Sequence, residues 1–203
     1  MEPVFKHTPL YRFLLECGAQ GNGHRVLDCG AGGDTPPLAL FALHGYDVTG
    51  VELDPDQLEK ARAFAARQGL TLALQPGDMR ALPFADGTFD VVYSYNSVFH
   101  MPKEQVAQAI GEMKRVLKPG GLLFVNFLSV RDFRCGTGGD LGQNQYEQED
   151  DGLPVVHSYY TETEADPFFA QMELLFKECR VQERRYEGEW IRQGFVDYIA
   201  RKR

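Results

Sequence analysis

The chain has 203 residues, of which 43% are hydrophobic, and it carries a formal charge of -8. This length is sufficient for one domain with a sizeable core, and nothing in it demands a second domain. The acidic balance disfavours binding to nucleic acid, because phosphate binding depends on Lys and Arg residues that displace counterions. A neutral or cationic small molecule is therefore a better partner for this charge.

Neither a membrane span nor a secretion signal is predicted. No segment approaches the ~18 apolar residues of a transmembrane helix, and residues 1–7 lack the apolar stretch of a signal peptide. The four cysteines form no C-x-x-C pair, and the five histidines lie far apart in the chain. We therefore expect a cytoplasmic protein with free thiols and no metal site.

From about residue 24, short apolar runs alternate with segments of helical periodicity. This alternation predicts βαβ units around a parallel sheet, preceded by a helical extension over residues 1–23. The predicted elements are, in chain order, strand 24–30, helix 36–44 with Thr35 as N-cap, strand 47–52, helix 55–68, strands 70–74 and 89–94, helix 103–117, a turn at 117–121 and strand 122–127.

Residues 129–160 break this rhythm, because they are rich in Gly, Asp and Gln and show little periodicity. We expect a long loop here, either a lid over an acceptor site or a mobile surface excursion. Two residues near its end, His157 and Tyr159, are candidate acceptor-binding residues together with Tyr11. Beyond the loop, the pattern predicts helix 168–177 and two closing strands at 180–186 and 195–199.

A glycine-rich segment follows the first predicted strand, and Gly30, Ala31 and Gly32 are its candidate ligand contacts. Glycines allow the backbone to approach a ligand closely and direct amide N–H groups, with the following helix N-terminus, at an anion. That anion is either a dinucleotide pyrophosphate or the carboxylate of an amino-acid cofactor. The dinucleotide fingerprint needs a third glycine at position 35, where this chain has Thr35, which weakens the nicotinamide alternative.

Acidic residues stand at or after three successive strands. Glu52 ends the second strand, where a carboxylate accepts hydrogen bonds from ribose hydroxyls. Asp78 follows the third strand, in position to accept from an adenine amino group while Met79 packs on the ring. With Asp28 after the first apolar run, three carboxylates suit a ligand that carries a cationic sulfonium and an amino group. The pattern favours a methyl donor.

Five segments carry a resemblance to a known family: VLDCGAGG, GVELDPDQLEKA, GDMRALPF, FDVVYSYNSVFHM and RVLKPGGLLFVNF. In order and spacing, over about residues 24–128, they resemble the class I S-adenosylmethionine-dependent methyltransferases, among them functionally unassigned prokaryotic members. The resemblance implies a Rossmann-like, doubly wound, mostly parallel seven-stranded sheet with an antiparallel C-terminal strand, and S-adenosyl-L-methionine as cofactor. It implies cofactor contacts for Asp28, Gly30, Gly32, Glu52, Leu53, Asp78, Met79, Ser94 and Tyr95. Many members have a further glycine at Asp34, so the loop is expected to differ there.

Methyl transfer requires the protein mainly to orient a small-molecule acceptor and to exclude water. His100 is the candidate base for a hydroxyl or carbon acceptor, because the unperturbed pKa of histidine is near neutrality; a structural histidine at a helix start is the alternative. Asn96 either orients the acceptor or shapes the turn after the fourth strand. A nicotinamide-dependent oxidoreductase and a non-catalytic nucleotide-sensing module are the rival functions.

Overall fold

The computed structural model describes residues 8–19, 21, 23–150, 152–186 and 188–203. Its helices are α1 (Thr8–Ala19), α2 (Leu38–Leu43), α3 (Pro55–Gln68), α4 (Lys103–Val116) and α5 (Asp166–Phe169). Its strands are β1 (Arg25–Cys29), β2 (Asp47–Glu52), β3 (Ala73–Pro76), β4 (Phe89–Ser94), β5 (Leu117–Ser129), β6 (Gly139–Gly142), β7 (Gln145–Asp150), β8 (Leu153–Tyr160), β9 (Met172–Tyr186) and β10 (Glu189–Lys202). Helix α1 lies in the predicted extension over 1–23, of which residues 1–7, 20 and 22 fall outside the described residues.

Seven strands form the predicted doubly wound sheet, in the order β3-β2-β1-β4-β5-β10-β9. Strands β1 to β5 pair in parallel, whereas β10 runs antiparallel to both β5 and β9. The Rossmann-like sheet with an antiparallel C-terminal strand is thus confirmed. Three further strands, β6 to β8, extend it from β5. No helix in the described part of the chain is long and apolar enough to cross a bilayer.

Alternating side chains in the central strands build a hydrophobic cluster on each face of the sheet. In β4, Val92 packs in the cluster that contains the buried residues of α4, while Tyr93 packs with Phe13 of α1 and Phe41 of α2. Successive residues of a strand point to opposite faces, so one apolar run supplies both clusters. Helices on both faces are the usual way in which a parallel sheet is buried.

The helices around the sheet test the predicted starts and stops. Helix α3 has the predicted bounds: the Asp54 side chain accepts hydrogen bonds from two amides of its first turn, and Gly69 ends it with φ +64°. Helix α2 begins at Leu38, so Thr35 as N-cap and a start at residue 36 are wrong. The carbonyls of Pro36 and Pro37 accept i+3 hydrogen bonds, which form a tighter turn before the helix.

Several predicted strands have different bounds in the structure: β1 is shorter by one residue at each end, and the two closing strands are found within the longer β9 and β10. The third begins at Ala73 and not at residue 70, because the Leu70 amide donates to Ala65 and caps α3. The predicted turn at 117–121 belongs to β5, which begins at Leu117. Its pairing with β4 is irregular between Phe89 and Val91, which accommodates the left-handed Gly120 (φ +78°).

The expected loop at 129–160 is wrong, because most of it is β6, β7 and β8. Gln143 and Asn144 both have positive φ, 54° and 57°, and make a two-residue turn of the type that joins hairpin strands. β6 is exposed on both faces, so no alternation of polar and apolar residues marks it in the sequence.

The position of β8 follows from the two edges of β5. One edge pairs with β10 from Leu122 to Leu128. The other edge pairs with β4, which ends at Ser94 opposite Val125, and β8 pairs with β5 at Leu128 and Ser129. β8 therefore continues on the edge that β4 leaves, and it places the β7–β8 hairpin beyond the carboxyl ends of the central strands.

The predicted helix at 168–177 is also wrong, because only α5 is helical and Met172 begins β9. The register of β9 against β10 shifts at Leu175, which has no partner between Leu174 and Phe176. This bulge interrupts the two-residue alternation, so the apolar residues of β9 mimic a helical pattern in the sequence.

Candidate functional site

A cavity of about 900 Å³ lies at the carboxyl ends of the parallel strands, where sheets of this kind bind ligands. One wall comes from the loops after β1, β2, β3 and β4, and the opposite wall comes from the β7–β8 hairpin. Predicted site residues in its lining are Gly30, Gly32, Glu52, Leu53, Asp78, Met79, Tyr95, Asn96 and His100. Those outside the lining are Asp28, Ala31, Ser94, Tyr11, His157 and Tyr159.

The amides of the glycine-rich loop are already engaged within the protein. Gly30 and Ala31 donate to the Val51 carbonyl, Gly32 donates to the Glu52 carboxylate and Gly33 donates to the Gln57 carbonyl. The expectation that these amides point at an anion is therefore wrong. Each is held against β2 or α3, and α2 is too short to present a strong N-terminal dipole.

The loop instead offers close backbone approach. Gly30 has φ +96°, and a Cβ there would collide with the Ser97 side chain. A Cβ on Gly32 would lie 2.7 Å from Glu52 Oε2 and 2.7 Å from Gln57 Cβ. Glycine is thus required at both positions, and the cavity floor beside Glu52 is bare backbone.

The Glu52 carboxylate stands at the floor of the cavity in a fixed orientation. Oε2 accepts the Gly32 amide at 3.0 Å, and Oε1 accepts the Asp54 amide at 3.0 Å. A carboxylate oxygen has more than one acceptor position, so both oxygens retain capacity for ligand hydroxyls. The geometry suits the predicted ribose contact.

Asp78 is paired with an arginine that sequence reasoning missed. Arg80 donates to both carboxylate oxygens of Asp78, with Nη2 at 2.6 Å from Oδ2, and it also contacts Gln105. These hydrogen bonds lower the pKa of Asp78. Arg80 lines the cavity as well, and its position two residues after Asp78 in a turn was the available signal.

Asp28 lies in the core and not at the cavity. It is fully buried, Tyr93 donates to its Oδ2 at 2.8 Å, and burial raises its pKa to about 8. A carboxyl with that pKa is mainly protonated near neutral pH, so Asp28 does not supply the third negative charge that the sequence argument assumed.

Asn96 takes the left-handed backbone conformation, with φ 54°. Its backbone amide donates to Asn126 Oδ1 at 2.7 Å, and its side-chain Oδ1 accepts from Asn126 Nδ2 at 2.6 Å. These are the contacts that the turn-shaping alternative requires, although the residue also lines the cavity.

Four other predicted residues lie away from the cavity. Ala31 and Ser94 are fully buried, and Tyr11 is 40% exposed on α1. Tyr159 is buried in a cluster with Phe99, and its hydroxyl donates to Gln148 at 2.7 Å. None of these four side chains reaches the cavity in the described structure.

His100 lies beside two residues of the β7–β8 hairpin, Asp150 and His157. The His157 Nε2 atom is 2.9 Å from Asp150 Oδ2, and the two imidazole centroids are 4.7 Å apart. Desolvation and the neighbouring His157 lower the pKa of His100 to about 4. His157 is almost completely buried, and desolvation lowers its pKa against the opposing effect of Asp150. The sequence did not indicate this cluster, because its members lie on segments that only the fold brings together.

Comparison with known proteins gives the same assignment as the motifs. A methyltransferase domain family matches residues 27–125. A sterol methyltransferase-like protein of Botryococcus braunii is 40% identical over 105 residues, which are 51% of this chain and 26% of that protein. The chain spans less than half the length of the curated relatives it matches.

Solved structures share the fold over almost the whole chain. An S-adenosylmethionine-dependent methyltransferase from Clostridium acetobutylicum has a TM-score of 0.72 at 15% identity, covering 98% of this chain and 92% of that one. A 1,6-didemethyltoxoflavin-N1-methyltransferase from Burkholderia thailandensis, solved with its substrate and S-adenosylhomocysteine, has a TM-score of 0.65 at 16% identity, covering 97% and 79%. Residues 27–125 thus match a methyltransferase domain family, and the chain as a whole has the fold of S-adenosylmethionine-dependent methyltransferases.

Proposed function

We propose that this chain transfers a methyl group from S-adenosylmethionine to a small organic acceptor. One observation carries the proposal: a single cavity joins the family motif residues at four strand ends to a second wall from the β7–β8 hairpin. The second wall contains none of the cofactor motifs. A cavity of about 900 Å³ is large enough for a cofactor and a small partner.

The residues at the strand ends fit the cofactor. The bare backbone at Gly32 permits close approach, and the Glu52 carboxylate beside it is oriented for ribose hydroxyls. Met79 and the Asp78 carboxylate line the region proposed for adenine. When bound, S-adenosylmethionine supplies an electrophilic methyl group on a sulfonium centre. Asp28, Ala31 and Ser94 support this site from behind as structural neighbours.

The opposite wall is proposed to hold the acceptor. Leu153, Pro154, Val155 and Val156 give it an apolar surface, and Asp150 gives it a polar group. His100, from the loop after β4, lies beside this wall. An acceptor with an apolar body and one polar reacting atom fits this combination. The named acceptors of similar proteins, a sterol class and didemethyltoxoflavin, support a small organic molecule.

The protein's own contribution is to orient the acceptor and to exclude water. We propose that His100, whose lowered pKa keeps the imidazole neutral, contacts the reacting atom and accepts a hydrogen bond from its proton where the acceptor is a hydroxyl or carbon acid. Asn96 holds the turn that carries this part of the wall, through its pair with Asn126. The hairpin acts as a cover, with His157 fixing its position and Tyr159 anchoring it in the core.

We also propose a reducing compartment such as the cytoplasm. All four cysteines are free, and burial raises the pKa of the Cys17 and Cys29 thiols, which keeps them protonated. The net charge of -8 supports a small molecule over nucleic acid as the partner. Fractionation of cells that express the tagged chain tests the location, and recovery in an oxidising compartment would contradict it.

Transfer of labelled methyl groups from S-adenosylmethionine to an extract of cell metabolites tests the activity. Wild type should label at least one small molecule. Val155→Trp should reduce labelling without loss of cofactor binding, because the larger side chain fills the space in front of the acceptor wall. Glu59→Ala, at an exposed site on α3, is the matched control. Cofactor binding with no labelled product from any extract would favour the non-catalytic sensing module.

A further inference from the structure

We propose that His100, Asp150 and His157 form a binding site for a divalent transition-metal ion at the acceptor wall of the cavity. Each residue offers one ligand atom, and the three atoms lie within 4.8 Å of one another. Two imidazoles and one carboxylate are a donor set that zinc and iron(II) take in proteins. The site itself is independent of the proposed function; its use in catalysis rests on that function.

One pair of donors already has the spacing that a bound ion needs. His157 Nε2 and Asp150 Oδ2 are 2.9 Å apart, and ligands at about 2.1 Å from a metal at right angles to each other are about 3 Å apart. Among the described residues, the His100 side chain makes ring contacts with Phe99 and His157 but no hydrogen bond. Its ring can therefore turn toward the other two donors without losing a hydrogen bond.

The carboxylate is oriented by a neighbouring residue. Arg134 donates to Asp150 Oδ1 at 2.6 Å, and its other terminal nitrogen donates to the Glu149 carbonyl. The arginine charge is thus directed at one carboxylate oxygen, while the second oxygen faces His157. Second-shell hydrogen bonds of this kind fix the orientation of metal ligands.

The two segments that carry the donors are also fastened together. The Ser158 amide donates to the Phe99 carbonyl at 2.9 Å, and the Ser158 hydroxyl donates to the Met101 carbonyl at 2.7 Å. The backbone on both sides of His100 is therefore tied to the residue after His157. This arrangement holds the donors near one another before any ion arrives, which reduces the cost of ordering the site.

The open side of the site faces the cavity, because His100 and Asp150 line it while His157 lies behind them. Three protein donors leave at least one position for an exogenous ligand. A metal there binds the oxygen, sulfur or nitrogen of an acceptor and lowers its pKa, with the released proton passing to water. The atom then bonds to the methyl group, and the sulfonium sulfur departs as a thioether. His100 serves in this case as a ligand and not as the proton acceptor.

Titration of the full-length, chelator-treated protein with Zn²⁺ alone tests the site, by calorimetry and by the absorption spectrum of Co²⁺ as a substitute ion. Wild type should bind one ion per chain. His100→Ala should weaken binding at least about tenfold. This variant removes no hydrogen bond of the described structure, so circular dichroism should show an unchanged fold. His24→Ala, an exposed histidine outside the cavity, is the matched control and should bind as wild type does.

The absence of saturable binding, or equal affinity in wild type and His100→Ala, overturns the metal site. S-adenosylhomocysteine affinity is measured on the same samples and should be equal in wild type and His100→Ala. Failure of zinc binding with intact S-adenosylhomocysteine binding removes the metal site and leaves the proposed methyl transfer in place. If the wild-type chain binds neither zinc nor S-adenosylhomocysteine, the first result contradicts the metal site and the second contradicts the proposed methyl transfer.

Discussion

Removal of the Glu52 carboxylate tests the cofactor geometry in the cavity. In Glu52→Ala the ligand loses a charged acceptor at the cavity floor, and the Gly32 and Asp54 amides lose their partner. A hydrogen bond to a charged group contributes about 1.5–3 kcal/mol, which is a loss of about 10-fold to about 150-fold in affinity. Glu52→Gln keeps an acceptor oxygen without the charge, so its affinity should lie between those of wild type and Glu52→Ala.

The assay is calorimetric titration with S-adenosylhomocysteine at constant salt. Glu59→Ala removes a carboxylate of the same type from α3, where its ion pair with Arg62 is long (3.8 Å) and exposed. This change should leave the dissociation constant unchanged. Thermal unfolding shows whether the variants fold. A dissociation constant for Glu52→Ala equal to that of wild type would place the ribose elsewhere and refute the reasoning.

Three further changes test other parts of the structure. The buried Asp28 has a pKa of about 8 against an ordinary value of 3.8, so the folded state retains a proton that the unfolded state releases. The free energy of unfolding should therefore fall as the pH rises from about 4 to about 8, by up to about 1.4 kcal/mol per pH unit. Urea titrations of Asp28→Asn should lack this slope, and an equal slope in the variant would assign the pH dependence to another group. Gly32→Ala should displace Glu52 and reduce S-adenosylhomocysteine affinity about tenfold or more. Gly111→Ala, at an exposed position of α4 with open space around it, should raise the free energy of unfolding by about 0.5–1 kcal/mol and leave affinity unchanged, and the reverse pattern would contradict the close approach at Gly32. Amide hydrogen exchange in the β7–β8 hairpin should slow when S-adenosylhomocysteine and an acceptor analogue bind, and equal exchange with and without them would show that the hairpin is a fixed wall.

The sequence predicts the central sheet well, because its strands and helices carry local signals. Asp54 as N-cap and Gly69 as C-cap define α3 to the residue. β2 and β4 are short apolar runs between turns, and both are found at the predicted bounds. Each of these features depends on residues close together in the chain.

The C-terminal third is predicted only in part, because distant contacts decide much of its structure: the two closing strands lie within β9 and β10, but the start of β9 and the strands before it are missed. β6 and β7 are held by hairpin pairing and not by a buried face, so their composition resembles that of a loop. The Leu175 bulge hides the alternation of β9, and only pairing with β10 makes that segment extended.

The prediction of the site divides in the same way: local signals place some of its residues, and distant contacts place the others. Glu52, Asp78 and His100 lie in the cavity because each stands at or after the carboxyl end of a parallel strand that the sequence predicts. Arg80 was missed because its pairing with Asp78 and Gln105 is formed by side chains, and no motif spacing encodes such contacts. The approach of His157 to His100 depends on which edge of β5 receives β8, and no local pattern encodes that choice.

Calorimetric titration of the wild-type chain with S-adenosylhomocysteine and, separately, with NAD tests the central assignment most directly. The cavity predicts binding of one S-adenosylhomocysteine per chain, with a rise in thermal stability that grows with ligand concentration, because only the native state binds the ligand. NAD should bind far more weakly, since the loop amides that a pyrophosphate needs are engaged within the protein. Comparable or tighter binding of NAD, with no binding of S-adenosylhomocysteine, would contradict the account.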